Sequence, residues 1–157
     1  MMLDLAHMRR ARLADLSPGE LFLPITPNGN KFLAGRLNEH DLRLALDGEA
    51  PFSISATANW SRGPGIAVAG IRFEADPKQA IRVDETLEMQ DGMLLLANGV
   101  TGVVGRERST PFPMWVGGEL AGAASDVIGF RSWQIVHGAG DDLQVLFEHS
   151  VDPAPDR

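Results

Sequence analysis

Glu85 is the one acid on an otherwise apolar strand face, between Val83 and Leu87. A carboxyl group buried in such a place has a raised pKa and can serve as a general acid or base. The same residue falls opposite Asn98, beside an Asn-Gly turn, where water or the amide can satisfy it; unpaired acids are seldom buried. His137 and His149 share a face with Trp133, Ile135, Val145 and Phe147 but stand at opposite ends of one hairpin, so they cannot share a ligand. Neither has the base and orienting partners that a nucleophilic site needs. Each is expected to cap the apolar stripe where it meets solvent, His137 near Leu143 and His149 near Arg131.

Trp60 lies in Asn59-Trp60-Ser61-Arg62-Gly63-Pro64-Gly65, and Trp115 in Pro111-Phe112-Pro113-Met114-Trp115-Val116-Gly117, each beside a Gly/Pro loop at a strand end. Large rings next to loops form stacking platforms for a sugar or anchors for a partner protein. Indoles are also highly buried on average, so a core position is the competing reading for both. Trp60, Arg62, Trp115, Glu85 and His137 are thus the candidate ligand-binding residues, and no catalytic residue is assigned. The absence of tyrosine removes the side chain most typical of adaptable recognition surfaces.

Other chemistry lacks its parts. The chain has no G-x-S-x-G elbow, no phosphate-binding G-x-x-x-x-G-K-[ST] loop, no H-E-x-x-H pair and no G-x-G-x-x-G after a strand. The four histidines, His7, His40, His137 and His149, are far apart; Asp41 follows His40, but strand neighbours point to opposite faces. Asp141 and Asp142 supply too few oxygens for calcium and are ordinary turn residues. No metal or cofactor is expected. With no cysteine there is no disulfide or thiol nucleophile. Fourteen basic and 21 acidic residues give a net charge of −7, which disfavours nucleic acid and anionic lipid as partners.

The elements that would position these residues are short strands. Apolar runs alternate with Gly, Pro, Asn and Asp clusters from Glu20 onward, an all-β signature. Leu21 to Ile25 contains Pro24 and is expected at a sheet edge. Leu42, Leu44 and Leu46 pair with Ala56, Ile54 and Phe52 if Asp47 to Pro51 forms a five-residue loop. Ile66 to Glu74 reads as one central strand. Asp91-Gly92 and Asn98-Gly99 are hairpin turns, predicting a meander with Met89 against Leu94, Leu87 against Leu96, Leu96 against Thr101 and Leu94 against Val103. Pro111 to Val116 reads as a short strand or loop, and Gly117 to Gly129 as a loop. In the last hairpin, Trp133 and Ile135 share a face with Leu143, Val145 and Phe147.

Leu3 to Leu16 has the spacing of a short amphipathic helix that ends before Pro18. Arg9, Arg10 and Arg12 stand there as a solvated face, or as a phosphate-binding arm, and interrupt any export signal, so the expected address is cytoplasmic. No run approaches the roughly 18 to 20 apolar residues of a membrane span. The expected architecture is all-β, mainly antiparallel: a two-sheet β-sandwich, jelly-roll-like, or a flattened barrel, with an N-terminal helical arm over 1–16, one β domain over 17–151 and a tail over 152–157. Missing catalytic motifs and Pro-marked strands point to a non-enzymatic module acting in assembly or protein interaction, by self-association or with another protein. The alternatives are a small-ligand or carbohydrate-binding β-domain and an enzyme with a motif-free site around Glu85.

Overall fold

The computed structural model describes residues 5–55, 63–84, 89–117 and 126–151. Alternation and turn chemistry give, in the first half, β1 (Met8–Ala11), β2 (Leu21–Pro24), β3 (Phe32–Leu37), β4 (His40–Ala45), β5 (Ile54–Ser55), β6 (Gly65–Val68) and β7 (Arg72–Glu74). The second half adds β8 (Ile81–Val83), β9 (Leu94–Ala97), β10 (Val100–Glu107), β11 (Thr110–Val116), β12 (Val127–Phe130), β13 (Trp133–His137) and β14 (Gln144–His149). Among the described residues every ladder between strands is antiparallel, and an isolated bridge between Ser53 and Arg106 is parallel. The fold is therefore mostly antiparallel β, and the only helical pieces among the described residues are short 3-10 turns such as Leu5–His7 and Leu13–Asp15. None of them is long and apolar enough to cross a membrane.

Eleven strands form one sheet in the order β1-β6-β2-β3-β11-β10-β9-β12-β8, with β4 on the other edge of β3 and β5 beyond β4; β14-β13-β7 form a second. A front core fills the space between the sheets, joining Leu21, Leu33, Leu44, Leu94, Val103 and Met114 of the large sheet to Trp133, Ile135 and Leu146 of the small one. The chain passes from one sheet to the other between β6 and β7 at Gly70, whose φ of 71° suits glycine. The run Ile66 to Glu74 is thus two strands in two sheets. The large sheet also curls, so that the Arg106 N–H donates to the Phe52 carbonyl at 2.9 Å.

The backs of both halves of the large sheet are packed as well. Leu95, Ala97, Val104, Trp115, Val83 and Val127 make one rear cluster. Phe22, Phe32, Ala34, Ala45 and Ala67 make the other, closed by Ala11, Leu13 and Leu16 from the first segment. That segment is not the expected helix. Met8 to Ala11 pairs with β6 instead, Met8 opposite Val68 and Ala11 opposite Gly65, which satisfies its backbone and sends Met8 to the front core and Ala11 to the rear. A strap of 3-10 turn follows, and Arg43, 1% exposed, holds it. The Arg43 guanidinium donates to the carbonyls of Leu13 (2.7 Å), Leu16 (2.9 Å), Leu42 (3.0 Å) and Ala14 (3.4 Å).

Several registers match the sequence and several do not. Leu44 faces Ile54, and Leu96 and Leu94 face Thr101 and Val103, as expected. The Leu42–Ala56 pair and the contact of Leu87 fall on residues outside those described, as does the far end of the Ile81 strand. Met89 is not the strand partner of Leu94: the second neighbour of β9 is β12, which sets Phe130 against Leu94 and Ile128 against Leu96. Val127 to Gly129, expected within a loop, is therefore part of a strand, Val127–Phe130. Pro24 does not mark an edge, because β2 lies between β6 and β3; Pro24 itself sits past the short Leu21–Phe22 overlap with β3, where no donor is required. Pro111 and Pro113 stand in the seven-residue β11, fully paired with β10; β3 meets β11 only at Trp115, so their missing N–H groups break no ladder there. A bulge at Leu146 shifts the last hairpin: Ile135 faces Phe147 but Val136 faces Val145, so Leu146 enters the core while Val145 and Leu143 turn outward. His137 accordingly lies opposite Gln144, and His149 opposite Trp133.

Candidate functional site

Trp115 is 6% exposed and packed in the rear cluster with Val104, Leu95 and Val127. Its cross-strand partner is Gly102, where a Cβ would lie 2.6 Å from Cε3 of the indole. The ring takes the space that a side chain at 102 would fill, which leaves it as a core indole with no face open for stacking. His137 is 4% exposed, and its ring meets that of His7 at 5.3 Å, edge to face. Trp60, Arg62 and Glu85 lie outside the described residues. Trp115 and His137, the two candidates that are described, sit in different layers and form no common site.

The described residues converge at two other places. At one end of the small sheet, Phe52, Phe73, Phe147 and His149 gather around Trp133, and His149 also meets Phe52. Trp133 Nε1 donates to the Gly92 carbonyl at 2.7 Å, and the His149 ring stands edge-on to Phe52 at 4.7 Å. Burial pushes the His149 imidazole below its ordinary pKa. A cleft of about 340 Å³ opens beside it, lined by Glu74, Asp76, Gln134, Glu148 and Ser150. Gln134 Nε2 binds Glu74 at 3.0 Å and Asp76 caps the Pro77 turn, so two polar groups here are engaged structurally. The Ser132 hydroxyl is bonded to the Val151 backbone, and no set of three or more metal-type ligands occurs among the described residues.

The second place is an apolar surface. Alternation along β9 sends Leu95 and Ala97 to the rear cluster and Leu94 and Leu96 to the front, but the front core covers only Leu94. Leu96 is 42% exposed, and its cross-strand partner Ile128 is 38% exposed. Beyond Ile128 stands Arg82 of β8, a strand whose only partner among the described residues is β12. Arg82 is held by Asp84 at 2.7 Å and Asp126 at 3.6 Å, and a cleft of about 370 Å³ runs along Ile81, Arg82, Val127 and Ile128. The run Met93 to Ala97 is apolar on both faces and is expected to be covered on both, but its front face is left open at Leu96.

A family described as "Uncharacterised protein y4lG" matches residues 10–157, and the chain belongs to it. One similar protein is "Uncharacterized protein y4lG" of Sinorhizobium fredii (strain NBRC 101917 / NGR234), 24% identical over 151 residues, which span 95% of this chain and 94% of that one. No solved structure matches the chain.

Proposed function

We propose that this chain is a non-enzymatic, sandwich-like β-module that acts by assembly, associating with a second copy of itself through the exposed end of its large sheet. The supporting observation is the cross-strand pair Leu96 and Ile128, large apolar side chains about two-fifths exposed beside the edge strand β8. Contiguous exposed apolar surface next to an edge strand is the usual mark of an interaction face. Covering what remains exposed of the two side chains contributes roughly 1–2 kcal/mol, enough to bias an association without making it obligate. A cytoplasmic, cofactor-free protein goes with this reading. Its test is sedimentation equilibrium of the chain and of Leu96→Asp and Ile128→Asp. Self-association weakened at least tenfold by either substitution supports it; a monomer across the whole concentration range sinks it.

A second reading, a small-ligand or carbohydrate-binding domain, draws support from a polar cleft of about 540 Å³ lined by Asn28, Asn30, Glu49, Ser53 and Ser55. Amides and hydroxyls of this kind suit a hydroxyl-rich ligand. Amide shifts of Asn28 and Asn30 on titration with a panel of monosaccharides would support it, and none at millimolar sugar would remove it.

A further inference from the structure

We infer that residues 5–16 are an exchangeable element: in a dimer, β1 and the strap of each copy dock on β6 and Arg43 of the other. This rests on the self-association reading and adds a route to it that does not use Leu96 or Ile128. The segment binds chiefly to the body of the fold. β1 pairs along its whole length with β6. Arg9 bonds Glu20 at 2.6 Å, and Glu20 in turn accepts from the Ser17 N–H at 2.7 Å. Leu13 and Leu16 close the rear cluster over Phe22 and Phe32. Arg43 spans the carbonyls of Leu13, Ala14 and Leu16. The body's side of these contacts comes from positions 20–68, with Ala69 and His137 meeting His7 as well, so the same segment from a second copy makes the same set.

The hinge is short. Four residues, Ser17 to Glu20, join the last buried residue of the strap to the first residue of β2. They turn back through Pro18 and Gly19, the latter at φ 91°, with Glu20 N–H bonded to the Ser17 carbonyl. Short, tightly turned hinges favour exchange over closure, and lengthening them favours closure. A copy whose segment swings out leaves a buried guanidinium and two phenylalanines uncovered. Backbone carbonyls at the spacing of 13, 14 and 16, flanked by two leucines, are what that surface fits, and this chain carries them. The occupant is therefore a second copy.

The chain has no cysteine, so the test uses engineered ones. Arg10 and Ile66 are cross-strand partners between β1 and β6. Two differently tagged copies, one Arg10→Cys and the other Ile66→Cys, are co-expressed and oxidised, with the Arg10→Cys/Ile66→Cys double variant as the control for closure within one chain. The expected result is a disulfide-linked species of twice 16.9 kDa that carries both tags. About half of randomly mixed exchanged dimers are mixed pairs, and each holds one matched cysteine pair. A Gly-Ser insertion after Pro18 should lower this product severalfold. A dimer that yields no mixed-tag product, with only the intrachain disulfide in the double variant, overturns the exchange while leaving self-association standing. A monomer at every concentration overturns both.

Discussion

Replacing Arg43 by Met keeps an unbranched stem in a site that is 1% exposed but removes every donor to the strap. Three carbonyls, those of Leu13, Leu16 and Leu42, lose bonds of 2.7–3.0 Å; the fourth, at 3.4 Å to Ala14, is too long to weigh equally. A buried acceptor left unmade costs about 1–3 kcal/mol; the Leu13 and Leu16 carbonyls are buried, whereas Leu42 is only partly so and stays paired with Gly35 in the sheet, so the gross loss is roughly 2–6 kcal/mol. Two effects reduce it. Burial holds the Arg43 pKa below its ordinary value, which means that folding pays a desolvation penalty for the cation that Met avoids. Asp41, Glu20 and Asp15 offset part of that penalty in the native protein. Ala14 and Asp15 are also exposed, so the strap can lift slightly and hydrate its carbonyls. The lower end of the range, about 2 kcal/mol, is the expected net loss, or a fall in Tm of about 4–8 °C for a chain of this length. Urea denaturation gives the free energy, and hydrogen exchange locates it. Amides of Met8 to Leu16 should exchange faster while those of β13 and β14 keep their protection. A variant as stable as the parent, with the strap still protected, would show that water replaces the guanidinium and that the argument from orphaned carbonyls is wrong.

Other consequences are open to measurement. Burial depresses the His149 pKa below its ordinary value of 6.5, so the unfolded chain binds more protons there than the folded one. Stability should be fully present above about pH 6.5 and fall as pH drops through the depressed folded value; His149→Phe should flatten that slope in urea midpoints measured across the acid range. Gly102→Ala would set a methyl 2.6 Å from the Trp115 ring and 3.0 Å from the Met114 carbonyl, so a loss of about 2 kcal/mol or more is expected by denaturation, with a changed indole emission. In Trp60→Phe only Trp115 and Trp133 remain, both buried; emission should be blue and resist iodide, and ready quenching would contradict their placement. Glu20→Gln breaks the half-exposed bond to Arg9 and weakens the hold on Ser17, for which a loss near 1 kcal/mol by thermal melting is expected.

What could be read from the sequence were the elements whose register is set nearby. Asn98-Gly99 fixes Leu96 against Thr101 because a two-residue turn permits one pairing; Leu44 also faces Ile54 as expected, but the Leu46–Phe52 closure of a five-residue loop does not form, since Phe52 N–H donates to the Ala45 carbonyl and Leu46 N–H to that of Lys31. The neighbour of β9 on its other side is β12, some thirty residues further on, and no local signal selects it. The same holds for Met8 to Ala11: its apolar spacing fits a ragged helix, and only the free edge of β6 makes the extended form better. The turn at Asn38-Glu39 takes positive φ at both residues without a glycine, so it gave no dipeptide signal. The Leu146 bulge slips the alternation by one, which turned the faces of Val145 and Leu146 over. Of the candidate residues, Trp115 stood beside loops in sequence yet lies in the core, because Gly102 opens a slot across the strand. The cluster around Trp133 takes Phe147 and His149 from the hairpin face that the alternation already groups, but adds Phe52 and Phe73, which no linear pattern links to it.

The pairing of both β1 and β2 with β6 sets an order of events during synthesis. Met8 and Leu21 meet the same residue, Val68, from opposite sides. At about 5–20 residues per second, the ribosome delivers that shared strand roughly 3–12 s after Met8 has been made. Through that interval β1 has no partner strand, although β2, β3 and β4 are made within it, so the nascent chain presents Met8 and the unpaired edge of β2 to whatever holdase waits at the tunnel exit. A β6 variant that pairs poorly should therefore lengthen chaperone occupancy on ribosome-bound chains more than one in β14, even where the two cost the finished protein the same.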